Sequence, residues 1–168
     1  AEFFDNEISE LMIELFKQYK ISLIQQIIDE DKTKIIREKY NEIGLQNELF
    51  SFNDEIYQKY NQVDFAITRS GASTISELIF FNIPFLAIPL PKSKDNHQFY
   101  NAKDYFDKKL CWLANQSDYK REILKDFILN LIQNPDDYLE KKNNMSKFSY
   151  QNTWNNINQK LLDLINEN

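Results

Sequence analysis

Asp64-Phe65-Ala66-Ile67-Thr68-Arg69-Ser70-Gly71-Ala72-Ser73-Thr74-Ile75-Ser76-Glu77 reads as an apolar strand, a tight turn and the first turns of a helix. Gly71 is one of only two glycines, the other being Gly44. At a strand-to-helix junction a glycine permits φ > 0 and lets the backbone come close to a ligand. Open α/β sheets bind their ligands at such junctions. Small and hydroxylated residues follow: Ala72, Ser73 and Thr74. Free N–H groups at a helix start, the positive end of its dipole and two hydroxyls suit a diphosphate. Glu77 lies at i+3 from Thr74, on the same helix face, where a carboxylate accepts hydrogen bonds from ribose hydroxyls. A plainer reading competes: Ser73 or Thr74 caps the helix and Glu77 closes a capping box. The residues alone do not separate the two.

A second segment strengthens the ligand reading. Pro84–Leu90 is an apolar strand, and Pro89-Leu90-Pro91-Lys92-Ser93-Lys94-Asp95-Asn96-His97-Gln98-Phe99-Tyr100-Asn101-Ala102 leaves it at the same edge of the sheet. The prolines stiffen the exit. Lys92 and Lys94 add positive charge, and Asp95 is placed to cap a helix reaching about Lys109. His97 and Gln98 then fall in its first turn, able to reach back over the loop. Surface or core filling by a lone histidine is an equally good account of His97.

Outward from these motifs, strand and helix patterns alternate. Residues 3–19 carry apolar residues near a 3.6 period and read as an amphipathic helix. Ile21–Ile28 is a strand, Asp29–Ile43 a helix, and Gly44 its left-handed terminator. Glu48–Phe52 is a short strand, Asn53-Asp54 caps a short helix to about Tyr60, and Asp64–Arg69, Ala72–Asn82 and Leu110–Ala114 read as strand, helix and strand. Asp118 to Asn168 reads as three helices, with Pro135 dividing the first from the second. Phe148, Tyr150 and Trp154 are expected to pack this tail on the body. Strands spaced by helices indicate a Rossmann-like α/β fold with a parallel sheet buried on both faces. The expected organisation is one domain over 1–168, with a helical tail from about 118.

With 168 residues, 42% hydrophobic and 27% charged, the chain has the make-up of one globular domain. A net charge of −6 argues against general nucleic-acid binding, so an anion site must be made by local geometry. Cys111 is the only cysteine, which excludes an internal disulfide and suits a buried core position. One histidine and one cysteine do not make a zinc site. Asp29-Glu30-Asp31 suits a helix start better than a metal. No apolar run approaches a membrane span, and no signal peptide is visible. The first residue is Ala1 rather than methionine, so the expectation is a chain that has been processed, truncated or taken from a longer reading frame.

The Asp64–Glu77 motif, the Pro89-Leu90-Pro91 stretch and Asp95–Ala102, at this spacing and with the helical tail, resemble the C-terminal domain of the MurG family. These are peptidoglycan N-acetylglucosaminyltransferases that convert lipid I to lipid II. The resemblance covers essentially the whole chain. It implies the C-terminal half of a GT-B fold, inversion at the sugar, UDP-GlcNAc as donor, and no cofactor or metal. Carried over by motif position, Ala72, Ser73 and Thr74 face the diphosphate and Glu77 the ribose, with Ser70 and Gly71 in the same UDP-GlcNAc-binding stretch. His97 and Gln98 match a Gln-Gln pair at the donor sugar. Phe52-Asn53-Asp54-Glu55-Ile56 resembles the family's FIDDM segment, which puts Asn53 and Ile56 at the uracil.

Two departures follow. The family's domain opens with a strand and a GGSQGA loop, and this chain starts at the end of that loop. The family's N-terminal domain, with the lipid I site and the catalytic base, is absent, so no catalytic residue is expected here. The missing strand is central in a 3-2-1-4-5-6 sheet, so a gap or a new pairing is expected between the Ile21–Ile28 and Asp64–Arg69 strands. The family docks on the cytoplasmic face of the inner membrane, chiefly through its N-terminal domain. Alternatives are the small donor subunit of a split UDP-GlcNAc transferase and a non-catalytic nucleotide-sugar module. The Pro-Leu-Pro stretch and Phe52–Ile56 favour MurG over the split enzyme.

Overall fold

The computed structural model describes residues 3–118 and 120–151. Among these, residues 3–56 with 120–128 form one compact unit, and residues 57–118 with 129–151 form another. The five strands fall into two parallel sheets.

In the first unit, a wide-turned segment over Phe4–Ile8 leads into α1 (Ser9–Phe16), so the expected helix is present and its first turns are under-wound. Strand β1 (Ser22–Gln26) pairs in parallel with β2 (Gln46–Phe50), Ser22 opposite Gln46 and Gln26 opposite Phe50. Between them runs α2 (Glu30–Glu42). Asp29 caps it by accepting from the Lys32 N–H at 3.0 Å, and Glu30 and Asp31 lie in its positive first turn. The acidic triplet is therefore a helix start. Gly44 ends the helix at φ 75°, as expected of a left-handed terminator. Ile27, Ile36, Tyr40 and Leu45 make the core. Beside it the Tyr40 hydroxyl donates to Gln25 Oε1 at 2.8 Å, and Gln25 Nε2 donates to Ser9 Oγ at 3.0 Å, so these buried polar groups satisfy one another. Burial pushes the Tyr40 hydroxyl up to about 12.

The second unit holds β3 (Ala66–Thr68), β4 (Phe85–Ala87) and β5 (Trp112–Leu113), in that order and all parallel. Each is shorter than its apolar run. Pro84 and Pro89 have no N–H and bound the ladder around β4, leaving single bonds beyond it such as Ile88 N–H to Thr68 O at 2.8 Å. Helix α3 (Ala72–Phe80) joins β3 to β4, and α4 (His97–Asp107) joins β4 to β5. Phe85, Leu86 and Ala87 are fully buried, as the central strand of a two-faced sheet demands. Ile75, Leu78, Ile79, Ala102, Leu110 and Met145 pack around them. Cys111 belongs to this core, and burial lifts its thiol to about 12, which keeps it protonated and inert.

The expected interruption is present: the Ile21–Ile28 and Asp64–Arg69 strands lie in different sheets. The order within each sheet is that of the two flanks of a 3-2-1-4-5-6 arrangement. Two helices of the tail are α5 (Arg121–Gln133) and α6 (Asp136–Gln151), parted at Pro135. The third, with Trp154 and the side chain of Tyr150, lies outside the described residues. Phe148 packs against the core and meets Tyr105 edge-on, ring centroids 6.0 Å apart. Helix α6 is braced to β5: Trp112 Nε1 donates to Asp137 Oδ2 at 2.6 Å, and Lys141 bonds the same carboxylate at 2.7 Å. Burial pushes the Asp137 carboxyl up, but bonds from Lys141 and Trp112 outweigh it and hold it below the usual range. Its contribution to stability is complete above the ordinary carboxylate pKa and is lost as pH falls through the lowered one. Among the described residues no helix is long and apolar enough to cross a membrane.

Candidate functional site

Residues 70–77 take the strand-to-helix turn at the carboxyl end of β3. Gly71 is the N-cap of α3, at φ −64° and ψ 140°. The expected positive φ is therefore not used here: the backbone is ordinary extended chain. A Cβ at Gly71 would meet only Thr74 Oγ1, at 3.8 Å. Nothing among the described residues demands glycine at this position.

The capping-box reading fails on register. The cap is Gly71, with no side-chain cap hydrogen bond, so Ser73 and Thr74 sit inside the first turn rather than before it. Glu77 does not fold back to the backbone. Its Oε2 accepts from the Tyr60 hydroxyl at 2.8 Å. The first-turn N–H groups of α3 consequently have no side-chain acceptor. Just before them, Ser70 is fully buried and its Oγ has no hydrogen-bond partner among the described residues. A buried hydroxyl without a partner is uncommon, and here it stands beside uncapped N–H donors.

The segment after β4 is built differently. Lys92, Asp95 and Asn96 have φ values of 60°, 51° and 53°. Left-handed backbone at three non-glycine residues is strained. Asp95 does not cap α4; Asn96 holds the cap position without a side-chain bond, because both residues are used for the left-handed turn. Gln98 Oε1 accepts from the Leu90 N–H at 2.9 Å, which ties the first turn of α4 to the β4 exit. His97 Nδ1 lies 2.7 Å from Lys94 O and so donates to it, which leaves Nε2 as the ring's remaining polar atom.

Two residues outside the sequence-derived set join these segments. Arg69 Nη1 donates to Ile88 O and Pro89 O, both at 3.1 Å, and Nη2 to Gln116 Oε1 at 2.8 Å. One guanidinium thus fastens the exits of β3, β4 and β5. Burial alone moves its pKa down, from a value so high that the group stays charged. Asn101 Nδ2 donates to Ser70 O at 3.4 Å, linking α4 to the β3 turn. Tyr60, the third residue missed by sequence reasoning, stands on the 3₁₀ segment Ile56–Gln62. No local pattern announces these partners, because each bond spans 17 or more residues of chain.

Ser70–Glu77, His97 and Gln98 are therefore brought into one hydrogen-bonded frame. Asn53 and Ile56 belong to the other unit, after β2. Asn53 Oδ1 accepts from the Glu55 N–H at 2.8 Å, a local turn rather than a helix cap, and the helical segment begins only at Ile56.

The sequence pattern described as the glycosyltransferase family 28 C-terminal domain matches residues 1–157. The chain belongs to that family. A protein of Pelagibacter ubique named UDP-N-acetylglucosamine–N-acetylmuramyl-(pentapeptide) pyrophosphoryl-undecaprenol N-acetylglucosamine transferase is 44% identical over all 168 residues, which span 47% of its length. A Rickettsia felis protein of the same name is 43% identical over 116 residues, 69% of this chain and 32% of that protein. A crystal structure of Acinetobacter baumannii MurG matches with a TM-score of 0.74 at 21% identity, covering 100% of this chain and 47% of that one. At that identity the likeness bears on fold alone. The chain of this family-28 protein spans about half the length of the relatives it matches in full.

Proposed function

We propose that this family-28 chain is the UDP-GlcNAc-binding domain of an inverting transferase that moves GlcNAc to lipid I, forming lipid II. The observation that carries the reading is the uncapped start of α3 beside the unpartnered Ser70 hydroxyl. Donors fixed in place and lacking protein acceptors suit a diphosphate, and they would stabilise the charge that gathers on departing UDP. The names of the relatives point to the same donor and acceptor.

In this reading Ser70, Gly71, Ala72, Ser73 and Thr74 hold the diphosphate. The space at Gly71 that no described residue fills is taken by the ligand. Glu77 accepts from the ribose hydroxyls. Gln98, with Oε1 engaged at Leu90, offers its amide N–H groups to the donor sugar beside His97. Asn53 and Ile56 serve the uracil through backbone groups, with Asn53 Oδ1 engaged by the Glu55 N–H. The domain is 1–168 with its helical tail. The lipid acceptor, the catalytic base and the contact with the cytoplasmic face of the membrane belong to another part of the full-length protein.

The test is transfer from UDP-GlcNAc to a lipid-linked muramoyl pentapeptide by the full-length protein, with calorimetry of donor binding. Glu77→Ala is expected to weaken UDP about tenfold or more, the range of a lost hydrogen bond to a charged group. Unchanged UDP affinity refutes the ribose assignment. Equal binding of UDP and TDP refutes the uracil assignment.

A further inference from the structure

The Glu77 carboxylate has one hydrogen-bond partner among the described residues, the Tyr60 hydroxyl at 2.8 Å. Glu77 is the sixth residue of the nine in α3, and a glutamate on a helix surface ordinarily samples several rotamers. The phenol removes that freedom. Tyr60 is itself held, packing against the sheet core and meeting Phe81 edge-on with centroids 5.1 Å apart. The polarity of the bond is also fixed. Burial, then the bond to Glu77 and its charge, push the Tyr60 hydroxyl far above its ordinary value, so it remains a donor throughout the neutral range. The Tyr60 bond takes Oε2 and leaves Oε1 to accept from something outside the described protein.

From this juxtaposition we infer that Tyr60 is a positioning residue for nucleotide recognition: it orients Glu77 as a hydroxyl acceptor, and so sets the preference for a ribonucleoside diphosphate over one lacking ribose hydroxyls. The inference rests on the ribose reading of Glu77. It adds a residue that does not itself touch the ligand. A site built to accept from a hydroxyl rejects an analogue without it, because the oriented acceptor is then left unpaired. Without Tyr60, Glu77 must be ordered anew at each binding event, and the preference falls.

The experiment is calorimetric titration of the full-length protein and its Tyr60→Phe and Glu77→Ala variants with UDP and with 2′,3′-dideoxy-UDP. Phenylalanine keeps the ring against Phe81 and deletes only the hydroxyl. The expected result for Tyr60→Phe is about a tenfold loss of UDP affinity with dideoxy-UDP affinity unchanged, the signature of a lost oriented acceptor. Dideoxy-UDP binding also reports that the variant is folded. A parallel loss for both ligands makes Tyr60 merely structural and overturns the inference, as does no loss for either. If Glu77→Ala abolishes the preference while Tyr60→Phe retains it, the inference alone fails. If Glu77→Ala retains the preference, the ribose reading fails and takes the inference with it.

Discussion

The segments leaving β3 and β4 sit at the same edge of one parallel sheet and begin helices of similar length, yet their backbones are opposites. After β3 the chain is relaxed: Gly71 has an ordinary φ of −64°, and among the described residues no side chain caps α3 and none pairs with Ser70 Oγ. After β4 it is strained, with Lys92, Asp95 and Asn96 all left-handed, and its side chains are occupied by Leu90 and Lys94. The first segment leaves donors open, whereas the second closes on itself. Open polar groups on relaxed chain and strain on satisfied chain are two ways of preparing a surface for a ligand.

Removing the fastening between the two segments has the largest expected effect. Arg69→Ala deletes three hydrogen bonds from a part-buried guanidinium and leaves the carbonyls of Ile88 and Pro89 without it. A loss of about 2–4 kcal/mol is expected in denaturant unfolding. Arg69→Lys is expected to recover little of it, because an ammonium cannot fork between β4 and Gln116. Wild-type stability in Arg69→Ala would show that the exits are held by other means.

Gly71→Ala separates relaxed backbone from ligand approach. With φ −64° and only Thr74 Oγ1 at 3.8 Å, a methyl group fits, so thermal unfolding is expected to change by less than about 1 kcal/mol. UDP affinity, by contrast, is expected to fall at least about tenfold as the methyl group enters the diphosphate's space. A large loss of stability would show that glycine is there for the fold.

Strain after β4 is tested by Lys92→Gly. Relief of left-handed strain, offset by the entropy of glycine, is expected to raise stability by about 0.5 kcal/mol. The smallest effect is at a control position away from the edge. Asn82 ends α3 at φ 57° with its Oδ1 buried and unpaired, and Asn82→Gly is expected to add a few tenths of a kcal/mol to the unfolding free energy. A destabilised Asn82→Gly would mean that the amide's packing outweighs its strain.

The contrast between the segments also shows what was readable in advance. Apolar runs spaced by helices indicate the strands and their parallel arrangement, because burial on both faces leaves long apolar signatures, whereas the break between the sheets was implied only by the family resemblance and its missing first strand. The expected Pro84–Leu90 strand shortens to β4 because Pro84 and Pro89 end hydrogen bonding before hydrophobicity ends, and the strand expected over Glu48–Phe52 keeps its length but lies two residues earlier, at Gln46–Phe50. Ser70–Glu77 is legible as a strand-to-helix turn that suits a diphosphate, and the competing capping box is excluded only by the cap being Gly71. Asp95 illustrates the opposite error: a good capping residue by type, it is drawn into a left-handed turn that its own position does not reveal. Arg69, Asn101 and Tyr60 were invisible for a common reason. Their importance lies in partners distant in sequence, and no local period encodes those.

The central claim, that the uncapped first turn of α3 receives a diphosphate, is tested most directly at exposed Ser73. In the full-length protein Ser73→Asp puts a carboxylate where the helix dipole favours one, so stability is expected to rise by about 0.3–1 kcal/mol. The same charge repels the ligand, and calorimetry is expected to show UDP affinity falling about a hundredfold while uridine, which has no phosphate, binds as before. Higher stability with weakened UDP supports the diphosphate at this helix end; UDP affinity equal to wild type contradicts it.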